Sequence, residues 1–149
     1  MARLMSYFLQ KEKTEIMILV ATSGDTGSAV AQGFLGREGI KVTILYPSKK
    51  VSDLQEKQLT TLGQNITALE VLGTFDDCQR MVKQAFLDKD ITSKINLSSA
   101  NSINISRLIP QSFYYFYAYA QAKKLGRKVV FSVPSGNFGN ICGGLIAKK

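Results

Sequence analysis

Two loops of similar sequence constrain the fold of this chain more than any other feature. Residues 21–27 (ATSGDTG) and 134–140 (PSGNFGN) each follow a short apolar run and open a segment of small residues. Each pattern predicts a strand, a tight turn and the start of a helix. Exposed amides and the positive end of a helix dipole favour phosphate or carboxylate. The sequence therefore predicts two anion-binding loops that hold one ligand at two points.

Two weaker interpretations of the loops remain open. Glycines and helix caps also occur in turns that bind nothing, so the role of the loops could be structural. Dinucleotide binding is the other alternative, but the chain contains neither G-x-G-x-x-G nor G-x-x-x-x-G-K-[ST]. The acidic residue expected about 20 positions after the first loop is also missing, because the second predicted strand runs into Tyr46-Pro47-Ser48-Lys49.

Composition limits the classes of function. A chain of 149 residues that is 45% hydrophobic and 20% charged is typical of one soluble globular domain. No apolar run approaches the roughly 18 residues of a membrane span, and the first ten residues do not resemble a signal peptide. We therefore expect a cytoplasmic protein with no membrane partner. The absence of histidine excludes a Ser-His-Asp or Cys-His site, so chemistry would need lysine, a carboxylate or a cofactor.

The charge pattern and the cysteines indicate neither nucleic-acid binding nor a metal site. The net charge is +8, but the basic residues are scattered and form no stripe with aromatic residues. Cys78 and Cys142 stand far apart, with no histidine to complete a metal site. We expect free thiols, no bound metal and no nucleic-acid partner.

The alternation of strand-like and helix-like segments predicts an α/β fold: a three-layer open sheet, mainly parallel, with helices on both faces. Ser52 is predicted to cap a helix with support from Gln55. The predicted helices cover residues 2–10, 26–37, 52–62 and 74–88. The predicted strands cover residues 15–21, 41–46, 66–72, 95–97 and 129–133.

A helix over residues 103–125 is predicted to be kinked at Pro110, although the helix could instead restart there. Its aromatic residues surround nearly the whole circumference, which a surface helix of a small domain could not bury. Either this is a central core helix, or it contacts a missing domain or a second subunit in a homodimer. These aromatic residues are Phe113, Tyr114, Tyr115, Phe116, Tyr117 and Tyr119.

Taken together, the two loops, residues 99–104 (SANSIN) and Pro110-Gln111 with the following aromatic run resemble the threonine synthase family. The resemblance covers essentially the whole chain in one order. It implies a pyridoxal-phosphate enzyme of fold type II, which converts O-phosphohomoserine and water to threonine and phosphate. The implied partners are that small-molecule substrate and the remainder of the enzyme's own chain.

The resemblance also implies roles for individual residues. Asp25 would lie near the cofactor ring, Ser23 and Thr26 would donate to a substrate anion, and Asn101 and Asn104 would either line the same cleft or cap helices. The substrate-binding residues are Ser23, Gly24, Thr26, Gly27 and Asn101. The residues that cradle the cofactor phosphate are Ser135, Gly136, Asn137, Phe138, Gly139 and Asn140.

One departure from the family pattern changes what we expect of the isolated chain. The family's Schiff-base lysine lies in a Phe-Lys-Asp motif, and this sequence contains no such motif. The resemblance therefore implies an internal fragment with no catalytic residue of its own, inactive in isolation. Residues 1–100 would form the small α/β lobe, and residues 101–149 would begin the large cofactor-binding lobe, packed on the first lobe as one compact domain or against another copy.

Two further classes of function compete with the one that the resemblance implies. A phosphate-receiving regulatory domain would use Asp25 as acceptor, but it needs further acidic residues at strand ends to hold magnesium. A non-catalytic interaction module would use the aromatic helix. Tight dimerisation without any affinity for anions would favour that module.

Overall fold

The computed structural model describes residues 1–101, 104–136 and 138–149, without the side chain of Asp25. The chain divides into two compact units, Ala2–Asn101 and Ser102–Lys149. Asn137 and the Asp25 carboxylate, for which the sequence predicts roles at the cofactor, lie outside the described part. Within that part, no helix combines the length and the apolar character needed to cross a membrane.

The first unit alternates helices and strands in the predicted order. Helix α2 ends at Phe34 rather than at Arg37, and Gly36 beyond it adopts a left-handed conformation with φ 64°. The helices are α1 (Ala2–Glu12), α2 (Asp25–Phe34), α3 (Asp53–Thr60), α4 (Phe75–Leu87) and the short α5 (Lys89–Thr92). The strands are β1 (Ile16–Ala21), β2 (Ile40–Pro47), β3 (Ile66–Val71) and β4 (Leu97–Ser98).

The four strands form one parallel sheet in the order β3-β2-β1-β4. Ile16 of β1 pairs with Ile40 of β2, and Val42 of β2 pairs with Ile66 of β3. Parallel neighbours require crossover connections, and helices α2 and α3 supply them between β1, β2 and β3. All carboxyl ends of the strands therefore lie at one edge of the sheet, where the 21–27 loop leaves β1.

Side chains on β1 and β2 alternate between two buried cores, which confirms helices on both faces of the sheet. One core contains Ile18 and Val20 of β1 and packs against α1, α2 and α3. The other contains Leu19 and Ala21 and packs against α4 through Cys78. This architecture confirms the predicted α/β fold.

Both cysteines are free thiols, as predicted. Cys78 is fully buried, and this burial raises the pKa of its thiol. Since the thiolate is the reactive form, Cys78 is an inert core residue. Cys142 is half-buried.

The predicted cap of α3 is present in full. Ser52 Oγ accepts a hydrogen bond from Gln55 N at 3.3 Å, and Gln55 Oε1 accepts one from Ser52 N at 3.1 Å. This reciprocal pair satisfies two amides that the helix start would leave without partners. It also fixes the Gln55 side chain, which contacts the 21–27 loop.

The second unit corrects the prediction of a helix kinked at Pro110. A 3₁₀ turn over Ile105–Arg107 precedes α6 (Leu108–Ala122), so Pro110 lies in the first turn of the helix. A proline there breaks no helical hydrogen bond, because the first amides of a helix have no intrahelical acceptor. A second 3₁₀ turn, Lys123–Leu125, ends this segment, and α7 (Gly139–Lys148) follows.

The predicted strand over residues 129–133 is wrong, because these residues belong to no strand. A strand needs a neighbour for its backbone amides and carbonyls. The described part of the second unit contains no strand that could pair with it. The segment instead packs through Phe131, whose ring lies edge-on to Tyr115 with 5.2 Å between the ring centroids.

The aromatic residues of α6 are mostly exposed within their unit. Tyr115 is the exception, with only 9% of its surface exposed, whereas Tyr114 is 74% exposed. The helix is therefore not the centre of a core in the described part of this unit. Contact with another chain segment or a second subunit stays a prediction.

Candidate functional site

Thr22 organises the loop that follows β1, which we call loop 1 (residues 22–27). Its amide donates to Leu45 O at 2.9 Å, which extends the pairing of β1 with β2. Its buried hydroxyl accepts hydrogen bonds from Gly24 N at 3.0 Å and from Gly27 N at 2.8 Å. The same hydroxyl donates to Gly24 O at 3.1 Å. One side chain thus ties the end of a central strand to the first turn of α2.

The two glycines of loop 1 are required for different reasons. Gly24 has φ 147° and ψ −102°, a conformation that residues with a side chain rarely adopt. A Cβ at Gly24 would also lie 2.6 Å from Gln55 Nε2. At Gly27 the constraint is space, because a Cβ there would lie 2.5 Å from Thr22 Cγ2. Glycine is therefore required at both positions, because the loop packs closely on Gln55 and Thr22.

The side chains predicted to meet a substrate occupy accessible positions in loop 1. Ser23 and Thr26 are exposed, so their hydroxyls are available to a ligand. Asp25 is the first residue of α2. The strand, turn and helix start predicted for this segment are confirmed.

Asn101 fixes the end of β1 through its side chain. Its Nδ2 donates to Ala21 O at 3.1 Å, and its Oδ1 accepts from Ala21 N at 3.3 Å. Ser99 Oγ donates to the same Oδ1 at 3.3 Å. The carboxamide thus replaces a neighbouring strand just beyond β4. Asn104 caps the following 3₁₀ turn, with its Oδ1 accepting from Ser106 N at 3.0 Å, as the capping alternative predicted.

The second glycine-rich segment, which we call loop 2 (residues 135–140), leads into α7. Phe138 is the residue before the helix and has φ 60°. Its amide donates to Ser135 O at 3.3 Å, and Ile141 N donates to Ser135 Oγ at 3.4 Å. Asn140 is held from α6, because the Tyr115 hydroxyl donates to Asn140 O at 2.7 Å. The predicted turn and helix start are therefore present, although the strand before them is not.

The geometry of loop 2 leaves room for an anion at the start of α7. Phe138 stands at the cap position and makes no side-chain cap hydrogen bond, while Ser135 Oγ accepts from the Ile141 amide in the first turn of α7. A Cβ at Gly136 would meet no atom within 4 Å, so space for a ligand adjoins the main chain there. An anion at the start of a ten-residue helix is stabilised by amides and by the helix dipole.

The sequence places Thr22 in the first loop, Gln55 in the α3 cap and Tyr115 in the aromatic run, but it does not predict that these residues hold the two loops. Thr22 carries a local signal, since serine and threonine hydroxyls bind amides a few residues ahead in turns. The contact of Gln55 with Gly24 and the bond from Tyr115 to Asn140 have no such signal. Both join residues that are distant in sequence and meet only in the folded unit.

Comparison with known proteins places these features in one family. A family model described as "Pyridoxal-phosphate dependent enzyme" matches residues 1–149. Threonine synthase of Haemophilus influenzae is 59% identical over 135 residues, which cover 90% of this chain and 32% of that protein. Threonine synthase of Escherichia coli K12 is 55% identical over 135 residues, with the same 90% and 32% coverage.

The fold of this chain is also similar to that of a solved threonine synthase structure. The crystal structure of pyridoxal-phosphate-bound threonine synthase from Brucella melitensis matches with a TM-score of 0.87 and 43% identity, covering 99% of this chain and 32% of that one. The chain thus spans about a third of the length of these relatives, 32% in each case. Since the family match extends over every residue, the chain belongs to the family of pyridoxal-phosphate-dependent enzymes.

Proposed function

We propose that this chain supplies part of the active site of a threonine synthase, which converts O-phospho-L-homoserine and water to L-threonine and phosphate. The observation that carries the proposal is the identity of 59% and 55% to two threonine synthases across 90% of the chain. Chains this similar share their fold throughout. Within this shared fold, loops 1 and 2 are the segments that we propose bind the substrate and the cofactor.

Loop 2 is proposed to bind the phosphate of the cofactor. Pyridoxal phosphate is the cofactor of this family, and when bound its ring stabilises negative charge on carbons next to the substrate amino group. Main-chain amides around Gly136 and Gly139 would hold the phosphate, with Phe138 fixing the turn. Ser135, Asn137 and Asn140 would add polar groups on either side. These hydrogen bonds would orient the cofactor, and the loop 2 residues would take no part in the reaction.

Loop 1 is proposed to bind the substrate. The exposed hydroxyls of Ser23 and Thr26 would donate to a substrate anion, while Gly24 and Gly27 let the loop fold tightly beneath it. Asp25 would lie beside the cofactor ring. Hydrogen bonds from Thr22 preset the loop, so that less conformational entropy is lost when the substrate binds.

Asn101 is proposed to act on the substrate site mainly by fixing the strand end from which loop 1 begins. Its carboxamide binds both backbone groups of Ala21, the last residue of β1. Loop 1 begins at the next residue. Asn101 would therefore hold the base of the substrate loop.

The remaining functional assignments follow from the sequence and stay predictions. The exposed aromatic face of α6 is proposed to contact further parts of a threonine synthase chain or a second copy. Residues 1–100 and 101–149 are assigned to the small and large lobes. A cytoplasmic location, with neither nucleic acid nor membrane as partner, completes the proposal.

A chimaeric enzyme tests the proposed function. The segment of E. coli threonine synthase that corresponds to residues 1–149 is replaced by this chain, and the product is supplied with pyridoxal phosphate and O-phospho-L-homoserine. We expect threonine and phosphate in equal amounts, because the substituted segment brings both loops. The 149-residue chain alone contains no Phe-Lys-Asp motif and is expected to show no turnover.

Cofactor absorbance and thermal unfolding of the chimaera serve as controls for folding. A folded, cofactor-loaded chimaera that forms no threonine would contradict the proposal. Growth of a threonine auxotroph that carries the chimaera gives an independent readout.

A further inference from the structure

Tyr115 makes a polar contact that sets it apart from the other aromatic residues of α6. Its single hydroxyl proton is shared between two acceptors of Asn140, the main-chain O at 2.7 Å and the side-chain Oδ1 at 2.9 Å. Asn140 is in the first turn of α7. A single hydroxyl thus binds both the main chain and the side chain of a residue in loop 2.

The ring of Tyr115 is held in place from two sides. It packs edge-on against Phe131, and a Cβ at Gly144 would lie 2.8 Å from its Cε1 and Cζ atoms. The glycine therefore lets α7 approach the ring closely. Because the ring is fixed, the position of its hydroxyl relative to α7 is fixed as well.

The contact determines which end of the Asn140 carboxamide can serve an anion. A carboxamide has an acceptor end, the oxygen, and a donor end, the nitrogen with two N–H groups. With the oxygen bound to the Tyr115 hydroxyl, the nitrogen end carries the donors that a phosphate requires. If the carboxamide rotated by half a turn, its nitrogen would face the hydroxyl and could not accept the proton that Oδ1 accepts, while its oxygen would face the anion and repel it.

We propose that Tyr115 is a positioning residue for the cofactor phosphate, acting by orienting the carboxamide and the first turn at Asn140. The inference rests on the proposed role of loop 2 as the phosphate site. It assigns a specific function to one tyrosine of the aromatic helix. The neighbouring exposed tyrosines have no part in it.

The test measures binding of a cofactor analogue to the 149-residue chain by calorimetry. The ligand is 4′-deoxypyridoxine 5′-phosphate, which lacks the aldehyde and so cannot react with surface lysines. The control ligand is 4′-deoxypyridoxine, the same compound without the phosphate. Tyr115→Phe removes only the hydroxyl, and we expect about five- to tenfold weaker binding of the phosphorylated ligand. Binding of the unphosphorylated ligand should not change.

Tyr114→Phe is the matched control, since it removes a hydroxyl from the adjacent, 74% exposed residue of the same helix. We expect this variant to bind both ligands as the unmodified chain does. Thermal unfolding of each variant shows whether the second unit is still folded. An equal loss in both variants would overturn the proposal.

A double-mutant cycle with Asn140→Ala separates positioning from a general effect on stability. If Tyr115 acts through the Asn140 side chain, Tyr115→Phe should weaken binding little further once that side chain is gone. The same fold-loss in both backgrounds would overturn the inference. If the unmodified chain shows no preference for the phosphorylated ligand, the cofactor role of loop 2 fails together with the inference. An undiminished preference in Tyr115→Phe defeats the inference alone.

Discussion

Replacing Gly27 with alanine is expected to destabilise the chain by about 3 kcal/mol. The added methyl group would lie 2.5 Å from Thr22 Cγ2 and 2.8 Å from Thr22 Cβ and Oγ1. Thr22 cannot move aside, because it is buried and its hydroxyl is bound to two amides. Alanine is the better helix former by about 1 kcal/mol, which offsets only part of the overpacking.

Gly33→Ala is the matched control for this prediction. Gly33 lies in the same helix, and a Cβ there would meet nothing within 4 Å. Helix propensity then acts alone, so we expect stabilisation by about 0.5 to 1 kcal/mol. Urea unfolding of the 149-residue chain, followed by circular dichroism, measures both changes. Equal effects of the two variants would show that loop 1 does not pack on Thr22 as described.

Thr22→Val is expected to destabilise the chain by about 1 to 3 kcal/mol and to loosen loop 1. Valine keeps the shape of threonine but cannot accept from the Gly24 and Gly27 amides. The Gly27 amide has a second acceptor, Gly24 O at 3.1 Å, and can keep that hydrogen bond in the variant. The Gly24 amide donates to the Thr22 hydroxyl at 3.0 Å, so the loss of this hydrogen bond accounts for most of the destabilisation. Thr22→Ser retains the hydroxyl and should preserve these hydrogen bonds.

Hydrogen exchange at the Gly24 and Gly27 amides distinguishes the two Thr22 variants. We expect faster exchange in Thr22→Val and near-normal exchange in Thr22→Ser. In the chimaeric enzyme, the valine variant should raise the KM for O-phosphohomoserine, because a loosened loop must be ordered on binding. Unchanged amide protection in Thr22→Val would rule out the organising role of the Thr22 hydroxyl.

The parts of this fold that depend on local sequence could be predicted. Apolar runs and glycine turns gave the order of helices and strands in the first unit, and the Ser52 and Gln55 pair gave the α3 cap. Both kinds of signal operate within a few residues. The family resemblance added the candidate residues of both loops, and the view that both loops serve one ligand stays a prediction.

Features that depend on distant partners could not be predicted. The 129–133 segment has the composition of a strand, but a strand forms only when a neighbour completes its hydrogen bonds. Asn101 satisfies the backbone of Ala21, which is 80 positions away, and Tyr115 binds Asn140 across 25 positions. Pro110 was ambiguous because a proline fits either a kink or a first turn, and the helix start decides between them.

A crystal structure of the chimaeric enzyme with pyridoxal phosphate tests most directly whether loop 2 binds the cofactor phosphate. We expect phosphate oxygens within about 2.7 to 3.2 Å of main-chain nitrogens in residues 136–140, with Asn140 still bound to Tyr115. A phosphate held by other residues, with the loop 2 amides bonded elsewhere, would contradict it.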